Sequence, residues 1–282
     1  MIRSPGGTSL RLIATTTFFT ALFIGSNLTT VKSLRAQELR VYTSVMKPAK
    51  DKKPAETISH SLTLFHAGKS YDLLTDIEEL VICDPMTREY TLFNGHTLAC
   101  RISFDEIQNF VKKGRAETVR YIEEAEGRQS PPSTIKALRF QLDPQFEENF
   151  NVQTGQLKMV GEGLRYEANT SATGTKEQVE RYLEYADCTA RLNFVLHPNS
   201  PFPAARLALN ESLRKHRSLP LVVERVDFDD VDIRAEHRYG WSLQPLDKSL
   251  INKWGKLLMS EQLKWVSLHE YQQRLLKPTA KN

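Results

Sequence analysis

The sequence predicts an α+β fold, with an antiparallel sheet and its helices gathered on one side. Three observations carry that expectation. Segments of two-residue apolar alternation stand both before and after each block of helical periodicity, as in a sheet whose strands come in local runs. The longest, "VDIRAEHRYGWSL", alternates for thirteen positions: Val231, Ile233, Ala235, His237, Tyr239, Trp241 and Leu243 share one face, and Asp232, Arg234, Glu236, Arg238 and Ser242 the other. That is the pattern of a half-buried antiparallel strand. Finally, Ser103 with Glu106 and Thr175 with Gln178 have the spacing of capping boxes ahead of apolar stripes, which marks two helix starts.

The first 36 residues contain no acid and read as an export signal: Arg3 and Arg11, an apolar run from Leu12 to Ile24, then a polar stretch ending "SLRA". As a helix the run extends about 20 Å, too short to span a bilayer comfortably. Cleavage is expected after Ala36, with an uncleaved anchor as the alternative, and no cysteine follows the run to be lipidated. Residues 37–282 are then expected to form one domain that is exported, periplasmic or extracellular, and not integral to the membrane after cleavage.

The mature chain opens with strands in "ELRVYTSV" and "ETISHSLTLFHAGKSYDLL", the latter turning at Ala67-Gly68. A charged loop, "KPAKDKKPAE", separates the two segments. A three-strand meander follows, "EELVICD", "EYTLFN" and "TLACRIS", with Asp84-Pro85 in its first turn. The helix capped by Ser103 carries Phe104, Ile107, Phe110 and Val111 as its buried stripe and stops before the Pro131-Pro132 linker. "KALRFQLD" reads as a strand with Leu138, Phe140 and Leu142 on one face, and an acid-rich turn comes after it. "GQLKMV" and "GLRYEA" form a hairpin at Gly161-Glu162-Gly163, with Leu164, Tyr166 and Ala168 pointing one way. Thr175 caps a long helix with Val179, Tyr182, Leu183, Ala186, Ala190 and Phe194 on its inner stripe, and "AARLALNESLRKH" makes a second from Pro203. "LPLVVERVDF" pairs with the long strand across Asp229-Asp230. Two last helices begin at Asp247, with Leu250, Ile251, Trp254, Leu257 and Leu258 at helical spacing, and at Ser267.

Charge and motifs exclude several function classes. Of 38 basic residues four lie in the leader, leaving 34 basic against 34 acidic residues and no nucleic-acid footprint. No nucleophile elbow, H-E-x-x-H or phosphate-binding glycine loop occurs. "DFDDVD" lacks the glycine and glutamate of a calcium loop and reads as a solvated turn. His60 and His66, six residues apart on one strand, are separated by about 20 Å, so one ion cannot touch both. Cys83 and Cys100 sit on the outer strands of the meander, about 9.6 Å apart, beyond disulfide reach; Cys100 is expected to be buried beside Leu98 and Ile102. Cys188 falls on a helix, and no C-x-x-C pair suggests redox or zinc chemistry. The run Arg214 to Arg217 closes a helix, where cations offset the dipole. His237, mid-strand on an apolar face, is either a core histidine satisfied by a neighbour or a polar anchor inside a ligand cavity. A hydrolase reading of His237 is opposed by the alternation, which turns Asp232 and Glu236 away from it. No metal or cofactor is implied.

The export signal, "FHAGKSYDLL", "EELVICDPMTREYTLF", a helix, then "LRFQLDPQFEENF" and "GQLKMVGEGLRYEA" together resemble an uncharacterised group of exported bacterial proteins. That group in turn resembles the periplasmic lipoprotein carriers of the LolA type. The likeness to the carriers spans residues 38 to 170 in strand order and rests on strand rhythm. It implies a strongly curved antiparallel sheet, an incomplete barrel covered by helices on its concave side, with an apolar hollow that holds acyl chains. Under that resemblance Leu138, Phe140, Leu142, Tyr166, Ile233, His237, Tyr239 and Trp241 are the candidates to line the hollow, and a lipid or lipoprotein acyl chain is the partner. The chain departs from the carriers in its extra helices after residue 175, and none of its positions matches their functional arginine. The competing expectations are that these side chains pack against the helix stripes without a cavity, as in a structural or interaction module of the cell envelope, or that the protein is a hydrolase.

Overall fold

The computed structural model describes residues 38–49, 54–128, 131–197, 200–227 and 230–276. The expected export signal and cleavage site lie outside the described residues. Twelve strands form one sheet: β1 (Leu39–Lys47), β2 (Glu56–His66), β3 (Lys69–Leu74), β4 (Glu79–Asp84), β5 (Glu89–Phe93), β6 (Leu98–Ser103), β7 (Glu147–Asn151), β8 (Gln156–Val160), β9 (Leu164–Ser171), β10 (Leu219–Asp227), β11 (Asp230–Gly240) and β12 (Lys264–Val266). Six helices are seen among the described residues: α1 (Phe104–Gly127), α2 (Pro132–Leu142), α3 (Lys176–Leu196), α4 (Ala204–Lys215), α5 (Pro245–Leu258) and α6 (Leu268–Leu276). The spatial order is β12-β6-β5-β4-β3-β2-β1-β11-β10-β9-β8-β7. Every pair is antiparallel except β12 with β6, so the fold is α+β on a mixed, mainly antiparallel sheet. It is not closed into a barrel; β12 and β7 are its edges. No helix among the described residues is long and apolar enough to cross a membrane.

Local chemistry explains most of these elements. Ala67 and Gly68 both take positive φ, 47° and 84°, the conformation that a two-residue hairpin loop needs to match strand twist. Both expected capping boxes form. Ser103 Oγ accepts from the Glu106 amide at 3.1 Å while Glu106 accepts from the Ser103 amide at 2.9 Å, and Thr175 and Gln178 repeat the exchange. α5 starts at Pro245 rather than at Asp247. Asp247 is its third residue, accepting from the Gln244 amide at 2.9 Å and from Arg40 at 3.2 Å.

The register shows which side chains share a face. Phe65 lies opposite Leu39, Val41 opposite Tyr239, Ala235 opposite Val223 and Ala168 opposite Leu157, so these residues line one side of the sheet. α3 and α4 pack there through Val179, Leu183, Leu209 and Leu213. Further along the same side, Tyr90, Leu92 and Cys100 meet Ile107 of α1, Leu192 of α3 and Tyr271 of α6. The helices are not confined to this side, contrary to the sequence expectation. Leu62, Leu64, Leu80, Ile82, Phe93 and Ala99 point the other way and are covered by Ile251 and Trp254 of α5. Strands such as "ELVIC" are apolar at consecutive positions, so both of their faces must be sheltered, whereas β11 alternates and leaves one face to the Arg234 ion pairs with Glu224 and Glu236.

Four more segments differ from the sequence expectation. "KALRFQLD" belongs to helix α2: Pro132 occupies its first turn, and Ile135, Leu138 and Leu142 have helical spacing that competes with the two-residue alternation. The acid-rich turn after it contains the edge strand β7. β11 ends at Gly240 after eleven residues, so Trp241 leaves the sheet; it is 41% exposed and stacks on Tyr239 with ring centroids 5.9 Å apart. Phe110, expected in the buried stripe of α1, is 46% exposed.

All three cysteines are free, with Cys100 buried beside Leu98 and Ile102. The neighbouring thiols of Cys83 and Cys188 influence each other, which raises the Cys83 pKa and lowers that of Cys188, and the Tyr90 hydroxyl donates to the Cys188 carbonyl at 3.1 Å. Asp72, buried between sheet and α3, has its pKa raised by burial, although it accepts hydrogen bonds from Tyr185 at 2.7 Å and Thr63 at 2.8 Å.

Glu148 ties edge strand β7 to the end of α4. Its Oε1 lies 2.7 Å from His216 Nε2 and 2.9 Å from Lys215 Nζ. Burial pushes the Glu148 pKa up, but these bonds outweigh it and hold the carboxyl at about 2, below its ordinary 4.5. A folded-state pKa below the unfolded value gives stability that is present above pH 4.5 and lost as pH falls through about 2. Glu148→Gln is therefore expected to cost about 1 kcal/mol at neutral pH, since the pair is partly solvated, and to flatten the acid limb of stability. Urea titrations at neutral pH and across that acid window measure both; parallel curves for the two proteins would contradict the assignment.

Candidate functional site

A hollow of about 330 Å³ lies between the helix-covered face of the sheet and the helices α2, α3 and α4. Its floor comes from three adjacent strands, because the register sets Tyr166 of β9 opposite Arg225 of β10, and Arg225 opposite Ile233 of β11. The next row, Val223 with Ala235, offers small side chains and leaves space. Phe140 of α2, Ala190 and Phe194 of α3, Phe202 and the first turn of α4 form the roof. Aromatic contacts hold these walls: Phe194 meets Phe202 edge-on at 5.2 Å, Phe140 meets Phe146 at 5.2 Å, and Phe146 lies 6.0 Å from Tyr166. Helix α1 passes close to the roof, since a Cβ at Gly114 would lie 2.8 Å from the Phe194 ring.

Two arginines face this apolar space, and their surroundings differ. Arg225 is neutralised by Asp227, with Asp232 at 3.7 Å. Arg206 donates from Nε to Asn210 Oδ1 at 3.0 Å, and Asn210 in turn donates to Asp187 at 2.8 Å. Among the described residues no carboxylate forms an ion pair with Arg206.

Beyond Ala235 the same face of β11 carries His237 and Tyr239. Burial, reinforced by the charge of Arg206, pushes the His237 pKa down to about 3, so the ring is neutral at physiological pH. Nδ1 lies 3.0 Å from Thr43 Oγ1, while Nε2 is buried without a hydrogen-bond partner. Tyr182 of α3 packs edge-on against both rings, and the Tyr239 hydroxyl donates to the Pro220 carbonyl at 2.7 Å. A neutral imidazole with so low a pKa, and with no carboxylate among the described residues to orient it, is a weak general base.

Phe140, Tyr166 and Ile233 thus line the hollow. His237 and Tyr239 continue its floor strand beside it, whereas Leu138, Leu142 and Trp241 are not among its lining residues. Leu142 borders a second groove, between α1 and α2, of about 530 Å³, edged by Arg115, Glu123, Lys136, Arg139 and Asp143 and sharing Phe140 and Glu162 with the hollow. Sequence reasoning missed Phe202, Arg206, Val223 and Ala235 as lining residues. Phe202 sits in a helix-breaking segment, and Arg206 lies beside the apolar stripe of α4, so neither carries a signal of its own. No group of three or more metal-ligating side chains occurs among the described residues. In comparison with known proteins, no family model and no curated protein matches the chain.

Proposed function

We propose that this protein is a non-enzymatic carrier of a lipid or lipoprotein acyl chain, exported to the cell envelope and holding the chain in the hollow beneath α2 and α3. The carrying observation is the hollow itself: apolar side chains from three strands and three helices line most of a space within the usual size range of small-molecule sites, with Glu162, Arg206, Arg225 and Asp227 as its charged groups. In this reading the open sheet is of the LolA kind, an incomplete barrel with an acyl chain on its hollow side. Export rests on the leader and the resemblance.

Ala235 sits on the floor, so Ala235→Trp fills the space from the sheet side. Native mass spectrometry of the purified protein is expected to show bound lipid, and a fluorescent fatty acid to bind the wild type and not Ala235→Trp. A clean apo mass, together with no binding of the fatty acid, would overturn the carrier function and favour an envelope interaction module. Equal binding by both proteins would place any acyl site elsewhere.

A further inference from the structure

We infer that the hollow takes a single-chain alkyl carboxylate, with its head group against Arg206 and its chain along Phe140, Ile233 and Phe194. This rests on the reading of the hollow as a chain-holding site and adds the class of ligand. On the neighbouring strands and helices, Arg214 is paired with Glu180, Asp187 and Glu211, Arg225 with Asp227, and Arg234 with Glu224 and Glu236. Arg206, half-buried on the wall of the hollow, donates to the neutral Asn210, and among the described residues no carboxylate pairs with it. A buried charge without a counter-charge is costly, and a carboxylate matches the planar fork of a guanidinium.

The backbone around Arg206 points the same way. Arg206 is the third residue of α4, and that first turn contains no acidic residue and no side-chain cap. The helix dipole and its unsatisfied amides therefore add positive potential beside the guanidinium. Just one unneutralised cation faces the space, and Asp227 and Glu162 also border it, which favours a monoanion over a doubly charged phosphate. The buried His237 Nε2, which has no hydrogen-bond partner, and Tyr182 both feel the charge of Arg206, so polar groups gather beside the guanidinium.

Calorimetric titration with decanoate and with decan-1-ol, at mildly alkaline pH, separates chain from head group. The wild type is expected to bind decanoate at least about tenfold more tightly than the alcohol, the size of one charge-assisted contact. In Arg206→Met the ratio should fall toward one, and Arg206→Lys should recover part of it. Equal binding of both probes by the wild type overturns the carboxylate assignment while leaving the chain-holding site intact. Binding of neither overturns both. A tenfold preference that survives in a folded Arg206→Met protein shows that another group is the anchor and overturns the assignment to Arg206.

Discussion

Leu183→Ala is expected to lower the unfolding free energy by about 2–5 kcal/mol, the range for deleting most of a fully buried leucine. Leu183 has no exposed surface and stands on α3 in the core shared with Leu39 and Val41 of β1, Val223 of β10 and Leu209 of α4. Removing its isopropyl group forfeits the transfer term and leaves a cavity between a sheet on one side and a second helix on the other. Neither layer can readily close in: the sheet is fixed by its ladder, and α4 is anchored to α3 through Arg214 bonds to Glu180 at 2.9 Å and Asp187 at 3.0 Å. Urea unfolding with an unchanged slope reads the loss directly. A change below about 1 kcal/mol would mean that α3 does not seat on the sheet as described.

Gly161→Ala should cost less stability but, under the proposed carrier function, more ligand affinity. An added Cβ at position 161 would fall 2.2 Å from the tip of the Phe140 ring and 3.0 Å from Phe146. Phe146 is braced by Tyr166, so the ring with somewhere to go is Phe140, and the free space beside it is the hollow. Swinging the ring there limits the overpacking penalty to about 1–3 kcal/mol and occupies volume needed by a chain. The expected result is at least a tenfold loss of fatty-acid affinity in a protein that still unfolds cooperatively, read by titration and urea denaturation on the same sample. Unchanged affinity would show that the chain does not run past Phe140.

Most strands were legible because their signals are local. Alternation, the Ala67-Gly68 turn and two capping boxes each act within a few residues, and β1 to β6, β8 to β11, α1 and α3 appear where those signals stand. Residues 132–142 failed because Leu138, Phe140 and Leu142 satisfy a strand, while Ile135, Leu138 and Leu142 satisfy a helix equally well; Pro132 decides the matter. β7 was hidden because an edge strand of Glu, Asn and one Phe lacks apolar alternation. The position of α5 on the opposite face was written in the unbroken apolar runs of β4 and β6, read as ordinary meander strands. For the candidate site, Tyr166 and Ile233 face the hollow because strand parity puts them there, and Phe140 reaches it from a helix instead. Arg206 and Phe202 join them only through the packing of α4 against the sheet, which no short window of sequence encodes.

A sheet twelve strands wide with two open rims is a template on which further copies could polymerise, and each rim is blunted in its own way. At one end β12 offers only three residues, with Trp265 held beneath the guanidinium of Arg101 at 4.3 Å. At the other, adjacent carboxylates on Glu147 and Glu148 repel an incoming ribbon, while the clasp of Lys215 and His216 on Glu148 fastens the outermost strand to its own molecule. Acid that protonates this clasp would unfasten that strand and uncover its hydrogen-bonding groups, so fibril-like self-association should begin at that rim.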